Sequence, residues 1–379
     1  MKADIMCKKI LRAILVILIV ILYFASSAIA KNDKVNSETK QATKAEPPSK
    51  ATGSDKTVSD INNVTTSDTT TLSGGWEPPP PPTPSPVSPS AIGGAFSSLM
   101  GETFKTDLAT GAATMNIPIV IPPGRKNMQP NISLSYSSNN SNGICGTGWA
   151  VPVMTIQRSA KNGVPRYTNM ADFTAGGQEL VNIGADEYKL KLESSFTKYI
   201  YSSADSKWIA YDKSGIKYYF GSTDASRTSC PTNPAYIFIW HIDKVSDVYG
   251  NTIAYEYEKE DGVVYLKYIY YTSNDQCTPV LNADKRIEFI YGAAERPDKI
   301  YSRRAGWPAV LKRRLEKIKV YIDANKDSVW GAGEVIWTYN LSYILSADTS
   351  CLLLASIQLE DNGGNVLPAR TFTYQSLEP

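Results

Sequence analysis

Residues 94–167 decide the fold of this chain and read GAFSSLMGETFKTDLATGAATMNIPIVIPPGRKNMQPNISLSYSSNNSNGICGTGWAVPVMTIQRSAKNGVPRY. Residues 114–121 (TMNIPIVI) are rich in β-branched side chains and are bounded by glycine and proline, which predicts a strand. Residues 131–136 (NISLSY) alternate polar and apolar side chains, as in a strand with one buried face. Turns rich in Gly and Asn follow, and we expect Trp149 after them to cap a hydrophobic core.

The rest of the chain repeats this pattern of strands and turns. Short alternating runs lie at residues 188–192, 198–201, 208–211 and 215–221, with turn residues between them. Strands at a spacing of roughly 8–12 residues, with little helical periodicity, are typical of a sandwich, a barrel or a wrapped sheet. The sequence therefore predicts an all-β fold, a large antiparallel β domain of hairpins that forms a sandwich or a segment of a shell wall.

One turn motif occurs twice. Residues 247–251 (DVYGN) lie between two alternating runs, which predicts a β-hairpin. Residues 361–365 (DNGGN) are a weaker copy of the same Asp-x-x-Gly-Asn pattern. Two copies do not by themselves establish a repeat architecture.

The first 93 residues predict a targeting segment and a spacer. Residues 1–30 have a basic start, an apolar run and a small-x-small ending, which indicates a secretory signal peptide cleaved after Ala30. The alternative is an uncleaved anchor, which would be the protein's contact with a membrane, but the apolar run is short for a spanning helix. Residues 31–93 are rich in Ser, Thr and Lys and then in Pro, which predicts a disordered linker ending in a polyproline stalk. Residues 94–379 are then the β domain of a secreted protein.

Charge and cysteine content narrow the partners and the chemistry. The formal net charge is +2, from 39 Lys and Arg against 37 Asp and Glu, so the sequence lacks the basic patch that a nucleic-acid partner requires. Four cysteines follow the signal peptide, at positions 145, 230, 277 and 351, and an oxidising compartment permits disulfides between them. Three pairings are possible. Cys230 and Cys277 both lie in polar loops and are the favoured pair.

Few residues are suited to catalysis. The one histidine, His241, follows Trp240 in a strand-like run, and no Gly-x-Ser-x-Gly motif accompanies it, so a structural role is favoured over a hydrolytic triad. A single histidine without Cys-x-x-Cys also disfavours zinc. The tyrosines of residues 255–271 could form a carbohydrate platform, but their alternation favours packing within a sheet. We therefore expect a protein that is not an enzyme.

Residues 323–334 (DANKDSVWGAGE), which we call the acidic loop, match the spacing of a calcium loop. The candidate ligands are Asp323, Asn325, Asp327, the Val329 carbonyl and Glu334. Ser occupies the sixth position, where such loops usually have Gly, and both flanks predict strands instead of the usual helices. The alternative is a polar hairpin tip, in which Asp and Asn are favoured for their turn geometry alone. Calcium is the one cofactor that the sequence suggests.

Several motifs in the same order resemble the SpvB-type N-terminal domain. That domain occurs in the Salmonella plasmid virulence protein B, in the B components of insecticidal Tc toxin complexes and in related Rhs/YD-repeat proteins. The motifs of the opening stretch are FKTDLATGAA (104–113), IPIVIPPGR (117–125), QPNISLSYSS (129–138), GTGW (146–149) and GVPRY (163–167). Later elements, including Arg296-Pro-Asp298, extend the resemblance to about residue 374.

The resemblance implies a scaffold within a secreted virulence assembly, with other toxin-complex or Rhs-type proteins or domains as partners. The Salmonella relative also has an ADP-ribosyltransferase module, which carries a Glu-x-Glu turn. Residues 256–260 (EYEKE) match that turn in letters but lie inside a predicted strand with no Ser-Thr-Ser upstream, so strand alternation explains them. The alternative function is a cell-surface binding module tethered by the Pro-rich stalk and stabilised by calcium.

Overall fold

The computed structural model describes residues 104–167 and 172–376. These residues lie within one compact unit, Ser85–Pro379. The predicted signal peptide (1–30) and linker (31–93) lie outside the described residues, as do the first ten residues of the predicted β domain.

The described residues form 24 β-strands and one three-residue 3-10 helix, Ala332–Glu334, so the prediction of an all-β fold is confirmed. The opening stretch contributes β1 (Lys105–Thr106), β2 (Ala113–Pro118), β3 (Ser133–Ser137), β4 (Asn142–Gly143), β5 (Gly146–Thr147) and β6 (Trp149–Ala150). Strands β1, β2, β3 and β6 form a four-stranded antiparallel sheet, and β4 pairs with β5.

The middle of the chain forms a closed ring of strands within a 16-stranded sheet. Its strands follow in chain order: β7 (Thr155–Arg158), β8 (Phe173–Ala175), β9 (Gln178–Gly184), β10 (Glu187–Leu190), β11 (Lys198–Ser202), β12 (Lys207–Tyr211), β13 (Lys217–Phe220), β14 (Arg227–Cys230) and β15 (Asn233–Ser246). Strands β7 to β13 pair in sequence, and the long β15 pairs with both β7 and β13. Eight strands therefore close on themselves, while β14 pairs with β15 beside the ring.

From β15 the sheet continues outward as an antiparallel meander. Its strands are β16 (Asn251–Glu260), β17 (Val263–Asn274), β18 (Lys285–Tyr291), β21 (Leu315–Ile322), β22 (Val335–Leu345), β23 (Leu352–Asp361) and β24 (Arg370–Thr371). A separate hairpin, β19 (Ile300–Ser302) with β20 (Ala309–Leu311), lies between β18 and β21 in the chain.

Both predicted Asp-x-x-Gly-Asn turns close hairpins. At residues 247–251, the Asp247 carboxylate accepts hydrogen bonds from the Asn251 backbone N–H at 2.9 Å and its Nδ2 at 2.7 Å. At residues 361–365 the corresponding distances are 2.8 and 2.9 Å. Residues 212–216 (DKSGI) form a third turn of this kind, which the prediction missed because its last position is Ile216 instead of Asn. The glycine has positive φ in all three turns, a backbone conformation that costs Gly little.

The opening stretch crosses the large sheet and is held to it by side chains. The Val120 N–H donates to the Tyr339 hydroxyl at 2.9 Å, and the Trp337 indole N–H donates to the Val120 carbonyl at 2.8 Å. Two residues further on, the Pro122 carbonyl accepts from the Tyr271 hydroxyl at 2.9 Å. Backbone groups of this extended segment thus obtain partners that no neighbouring strand supplies.

Trp149 joins the beginning of the domain to its end. Its side chain is 1% exposed, as the sequence predicted for a core residue. The indole packs against Tyr136 and Phe372, with ring centroids 5.2 and 4.7 Å away, and its N–H donates to the Tyr374 hydroxyl at 2.9 Å. The Tyr374 hydroxyl in turn donates to the Leu354 carbonyl at 2.8 Å.

Candidate functional sites

The acidic loop connects β21 to β22 and ends in the 3-10 helix. Carboxylate oxygens of Asp323, Asp327 and Glu334 lie within 4.8 Å of one another. Asp323 is 2% exposed, whereas Asp327 lies at the surface. Three carboxylates this close are a donor set that suits a hard divalent cation such as calcium.

The backbone of the loop positions these carboxylates. The Asp323 carboxylate accepts from the N–H groups of Asp327 at 3.2 Å and Ser328 at 2.8 Å. Ser328 adopts φ +61°, the left-handed conformation that Gly usually supplies at this position, so the unexpected serine does not prevent the turn. Asn325 donates its amide to Asp327 at 2.9 Å, and the Val329 N–H donates to the Asp327 carboxylate at 2.7 Å.

An aromatic cluster adjoins the acidic loop. Trp330, within the loop, lies over the Arg286 guanidinium at 4.9 Å, and Arg286 also contacts Tyr268 at 4.8 Å and Tyr321 at 4.2 Å. The sequence did not predict this cluster, because its members come from β17, β18, β21 and the loop. Alternation in β16 and β17 explains the other tyrosines, since Tyr257, Tyr265 and Tyr271 are buried in the core as expected.

His241 is partly buried and is a weak base. Its ring borders a cavity of about 210 Å³, lies 5.4 Å from the Tyr257 ring, and has Nε2 3.0 Å from the Thr228 hydroxyl. Burial, followed by the charge of Lys259, lowers the pKa of His241 to about 4. The imidazole is therefore neutral at physiological pH.

The Glu-x-Glu letters of residues 256–260 belong to salt bridges on β16. Arg313 donates from Nη1 to Glu258 at 2.7 Å, and its Nε forms an ion pair with Glu260 at 2.5 Å. Lys267 also contacts Glu258, at 3.1 Å. Glu258 and Glu260 lie two positions apart on β16, and both carboxylates are paired with cationic side chains.

The predicted Cys230–Cys277 bridge does not form. The four cysteines of the described residues, at positions 145, 230, 277 and 351, are free thiols. Cys230 lies near the Glu260 end of β16, where Lys259 contacts Ser229, whereas Cys277 follows the contact between Asp275 and Gly250 at the opposite end. A ten-residue strand spans about 30 Å, far more than the roughly 7 Å between Cα atoms that a disulfide tolerates.

Arg296 and Asp298 form a buried clamp between three parts of the chain. Arg296 is 0% exposed and donates to both Asp298 oxygens at 2.8 and 2.9 Å, to the Gly143 carbonyl at 2.7 Å and to Asn142 at 2.8 Å. Asp298 also accepts from the Leu352 N–H at 2.7 Å. Burial by itself raises the pKa of Asp298, but hydrogen bonds from Arg296, Leu352 and Asn142 outweigh it and lower the pKa to about 2. The Arg-Pro-Asp motif therefore serves the fold.

No helix among the described residues is long and apolar enough to span a membrane.

Comparison with known sequences places the opening stretch and the ring in one family. The sequence profile of SpvB, the Salmonella virulence plasmid 65kDa B protein, matches residues 107–200 and 185–305, which together are more than half of the chain. The mono(ADP-ribosyl)transferase SpvB of Salmonella choleraesuis (strain SC-B67) is 29% identical over 181 residues, and that of Salmonella typhimurium is 28% identical over the same length. The match covers 40% of this chain and 30% of each relative. The chain therefore matches less than a third of the length of these proteins.

Solved structures show the same fold. The N-terminal domain of effector protein SpvB from Salmonella typhimurium strain LT2 aligns with a TM-score of 0.56 at 19% identity, covering 65% of this chain and 98% of that one. The TcdB2-TccC3-TEV structure aligns with a TM-score of 0.65 at 20% identity, covering 77% of this chain and 17% of that one. The Photorhabdus luminescens Tc holotoxin pore aligns with a TM-score of 0.62 at 21% identity, covering 70% and 16%.

The fold thus defines the class of this chain. It is a large all-β domain of the type found in virulence effectors and Tc toxins. The chain belongs to the SpvB family.

Proposed function

We propose that this protein is an exported, non-enzymatic structural and docking domain of a toxin-type assembly of the SpvB, Tc or Rhs kind. The observation that carries the proposal is the alignment with the SpvB N-terminal domain, because it covers 98% of that domain's chain. The corresponding region of the much longer TcdB2-TccC3 chains is 17% of their length, which supports a role as one part of a larger wall. Toxin-complex or Rhs-type proteins or domains are the proposed partners, without nucleic acid.

The engagement of the polar side chains supports the non-enzymatic part of the proposal. His241 is neutral and partly buried, Glu258 and Glu260 pair with Arg313, and Arg296 holds the fold together. Each group that sequence motifs offered for catalysis thus has a structural partner.

Co-expression with a TccC3-type chain tests the docking role. We expect the two chains to co-elute in size-exclusion chromatography at a mass above either alone. Separate elution at micromolar concentrations, with both chains folded by circular dichroism, would contradict the docking proposal.

An NAD⁺ assay tests the absence of enzymatic activity. We expect no transfer of labelled ADP-ribose to proteins of a eukaryotic lysate, whereas full-length SpvB run in parallel should label them. Labelling above a boiled-protein control would show that the domain is an enzyme.

We also propose that the acidic loop binds calcium, because its three carboxylates converge and Ser328 supplies the required turn. For a site with a Kd of about 10⁻⁴ M, millimolar calcium would stabilise the fold by about 1–2 kcal/mol and raise Tm by a few degrees relative to EDTA. Asp323→Asn should abolish this shift, and Asp186→Asn, at an exposed aspartate outside the loop, should leave it intact. An unchanged Tm in the wild-type chain would refute the calcium site.

Export is the remaining part of the proposal and rests on residues 1–30 together with the virulence-associated relatives. The full chain expressed in a Gram-negative host should appear outside the cytoplasm with Lys31 as its first residue. N-terminal sequencing that finds Met1 on a membrane-associated protein would support the uncleaved anchor instead.

A further inference from the structure

A cavity of about 450 Å³ lies between the opening stretch and the large sheet. Residues 127–132 and 151–154 form one wall, and strands β13, β15, β16 and β17 form the other. Buried aliphatic side chains, including Ile242, Ile253 and Ile269, line its floor. The volume is within the range of pockets that bind small molecules, roughly 300–1,000 Å³.

The lining of this cavity carries no charged side chain. Two tyrosines supply its interior polar atoms. The Tyr218 hydroxyl donates to the Asp212 carboxylate at 3.2 Å, whereas the Tyr255 hydroxyl has no hydrogen-bond partner within residues 104–167 and 172–376. The Tyr255 hydroxyl is not one of the buried polar atoms that lack a partner, so it is accessible from the cavity and free to bond a polar ligand atom.

The entrance to the cavity is preformed. Lys126 and Asn127 have φ of +49° and +63°, which makes a tight reversal closed by a bridge between Arg125 and Met128. Gln129 accepts a hydrogen bond from the Gly124 N–H at 2.7 Å, and a Cβ on Gly124 would lie 2.0 Å from the Met128 carbonyl oxygen. Residues held in left-handed backbone conformations often mark functional sites, and these two lie between the family motifs at residues 117–125 and 129–138.

Displacement of water favours an apolar occupant. The cavity opens to solvent, and water against its aliphatic walls finds few hydrogen-bond partners, so an apolar molecule that replaces this water gains affinity. A second cavity, of about 210 Å³, shares Val151, Val153 and Leu266 with the first, so the two spaces are neighbours.

We propose that this cavity binds one neutral, elongated apolar molecule whose single polar oxygen accepts a hydrogen bond from the Tyr255 hydroxyl. The uncharged lining disfavours an ionic head group inside the cavity, and the aliphatic floor suits a hydrocarbon chain.

Fluorescence titration of the purified full chain with N-phenyl-1-naphthylamine, a neutral apolar probe, tests the proposal. We expect saturable binding of one probe per chain and displacement by 1-dodecanol. Val153→Trp fills the cavity and should weaken probe binding at least tenfold, whereas Val181→Trp, at a 45% exposed position on β9, should not. If Val153→Trp unfolds the chain, Met154→Trp blocks the entrance at a 47% exposed position and is the deciding variant.

Tyr255→Phe separates ligand recognition from general packing. Loss of one hydrogen bond predicts about fivefold weaker displacement by 1-dodecanol, with probe affinity unchanged within twofold. Absence of saturable binding, wild-type binding in a folded blocked variant, or equal loss for probe and alcohol in Tyr255→Phe would overturn the proposal.

Discussion

Arg296 illustrates how a single buried side chain fixes this fold. Its guanidinium donates to the Asp298 carboxylate beside it and to the Asn142 amide oxygen and Gly143 carbonyl of β4, more than 150 residues earlier in the chain. The sequence marked Arg-Pro-Asp as a family motif, yet nothing in the three letters says that both charges are buried. Arg296 and Asp298 are buried because β4 and β23 both pack against them. These two strands lie more than 50 residues before and after the motif in the chain.

Arg296→Met should therefore destabilise the protein by about 3–5 kcal/mol, because it leaves Asp298 buried without its partner. Urea unfolding at neutral pH measures the change. Arg303→Met, at an exposed arginine nearby, is the matched control and should cost less than 1 kcal/mol. Equal effects of the two substitutions would mean that the clamp has no special role.

The clamp also predicts acid sensitivity. The folded-state pKa of Asp298 is about 2, below its usual value, so its contribution to stability is complete above about pH 4. That contribution is lost as pH falls from about 4 to 2. Unfolding free energy measured over this range should fall more steeply for the wild type than for a chain carrying both Arg296→Met and Asp298→Leu.

The single histidine allows a direct measurement. His241 should titrate near pH 4 in the folded protein, and its ring resonances in a proton NMR titration are unambiguous because the chain has one His. Since an unfolded histidine takes up its proton near pH 6.5, the unfolded state gains on the folded state as pH falls from about 6.5 to 4. His241→Gln should flatten that part of the stability curve, and a folded-state pKa above 6 would contradict this prediction.

Hairpin turns show how far local sequence determines an element. The Asp-x-x-Gly-Asn pattern predicted two turns correctly because the contacts lie within five residues. The same pattern missed residues 212–216, where the Asp212 carboxylate accepts from the backbone N–H groups of Ser214 and Ile216 and has no Asn side chain as a partner within the turn. Asn at the fifth position adds a hydrogen bond but is not needed for the turn.

The two copies of the turn should differ in their effect on stability. Asp247→Ala removes three hydrogen bonds between β15 and β16 in the middle of the sheet, and should cost about 1–2 kcal/mol. Asp361→Ala removes equivalent bonds from an exposed hairpin near the sheet's outer end, and should cost less than 1 kcal/mol while increasing local amide exchange. The opposite order of stabilities in thermal unfolding would refute this comparison.

At the scale of the whole molecule, the sequence predicted strands but not their closure. Alternation and turn residues give short segments that pair with their neighbours, and β7 to β13 pair in this way. Ring closure depends on β15, which pairs with β7 on one side and β13 on the other, contacts that local patterns cannot indicate. The cavity was missed for the same reason, because its two walls are distant in sequence.

Limited proteolysis tests the division into linker and domain. Trypsin should cleave rapidly at the lysines of residues 31–56 and leave a resistant fragment that begins at Thr57, because the sequence has no Lys or Arg between Lys56 and Lys105 and those within paired strands are protected. Mass spectrometry identifies the fragment ends. Early cleavage inside β15 to β18 would contradict a single β domain.

The contact between Trp149 and Tyr374 has a consequence for biosynthesis. The two residues are 225 positions apart, so the ribosome makes the indole about 10–45 s before the hydroxyl that accepts its hydrogen bond. During this interval the Trp149 ring also lacks its packing partner Phe372. The backbone of the opening stretch lacks its hydrogen-bond partners Tyr271, Trp337 and Tyr339 for much of the same time. The domain therefore completes its folding late in synthesis. Before then its unpaired strands and apolar side chains are exposed and can bind chaperones.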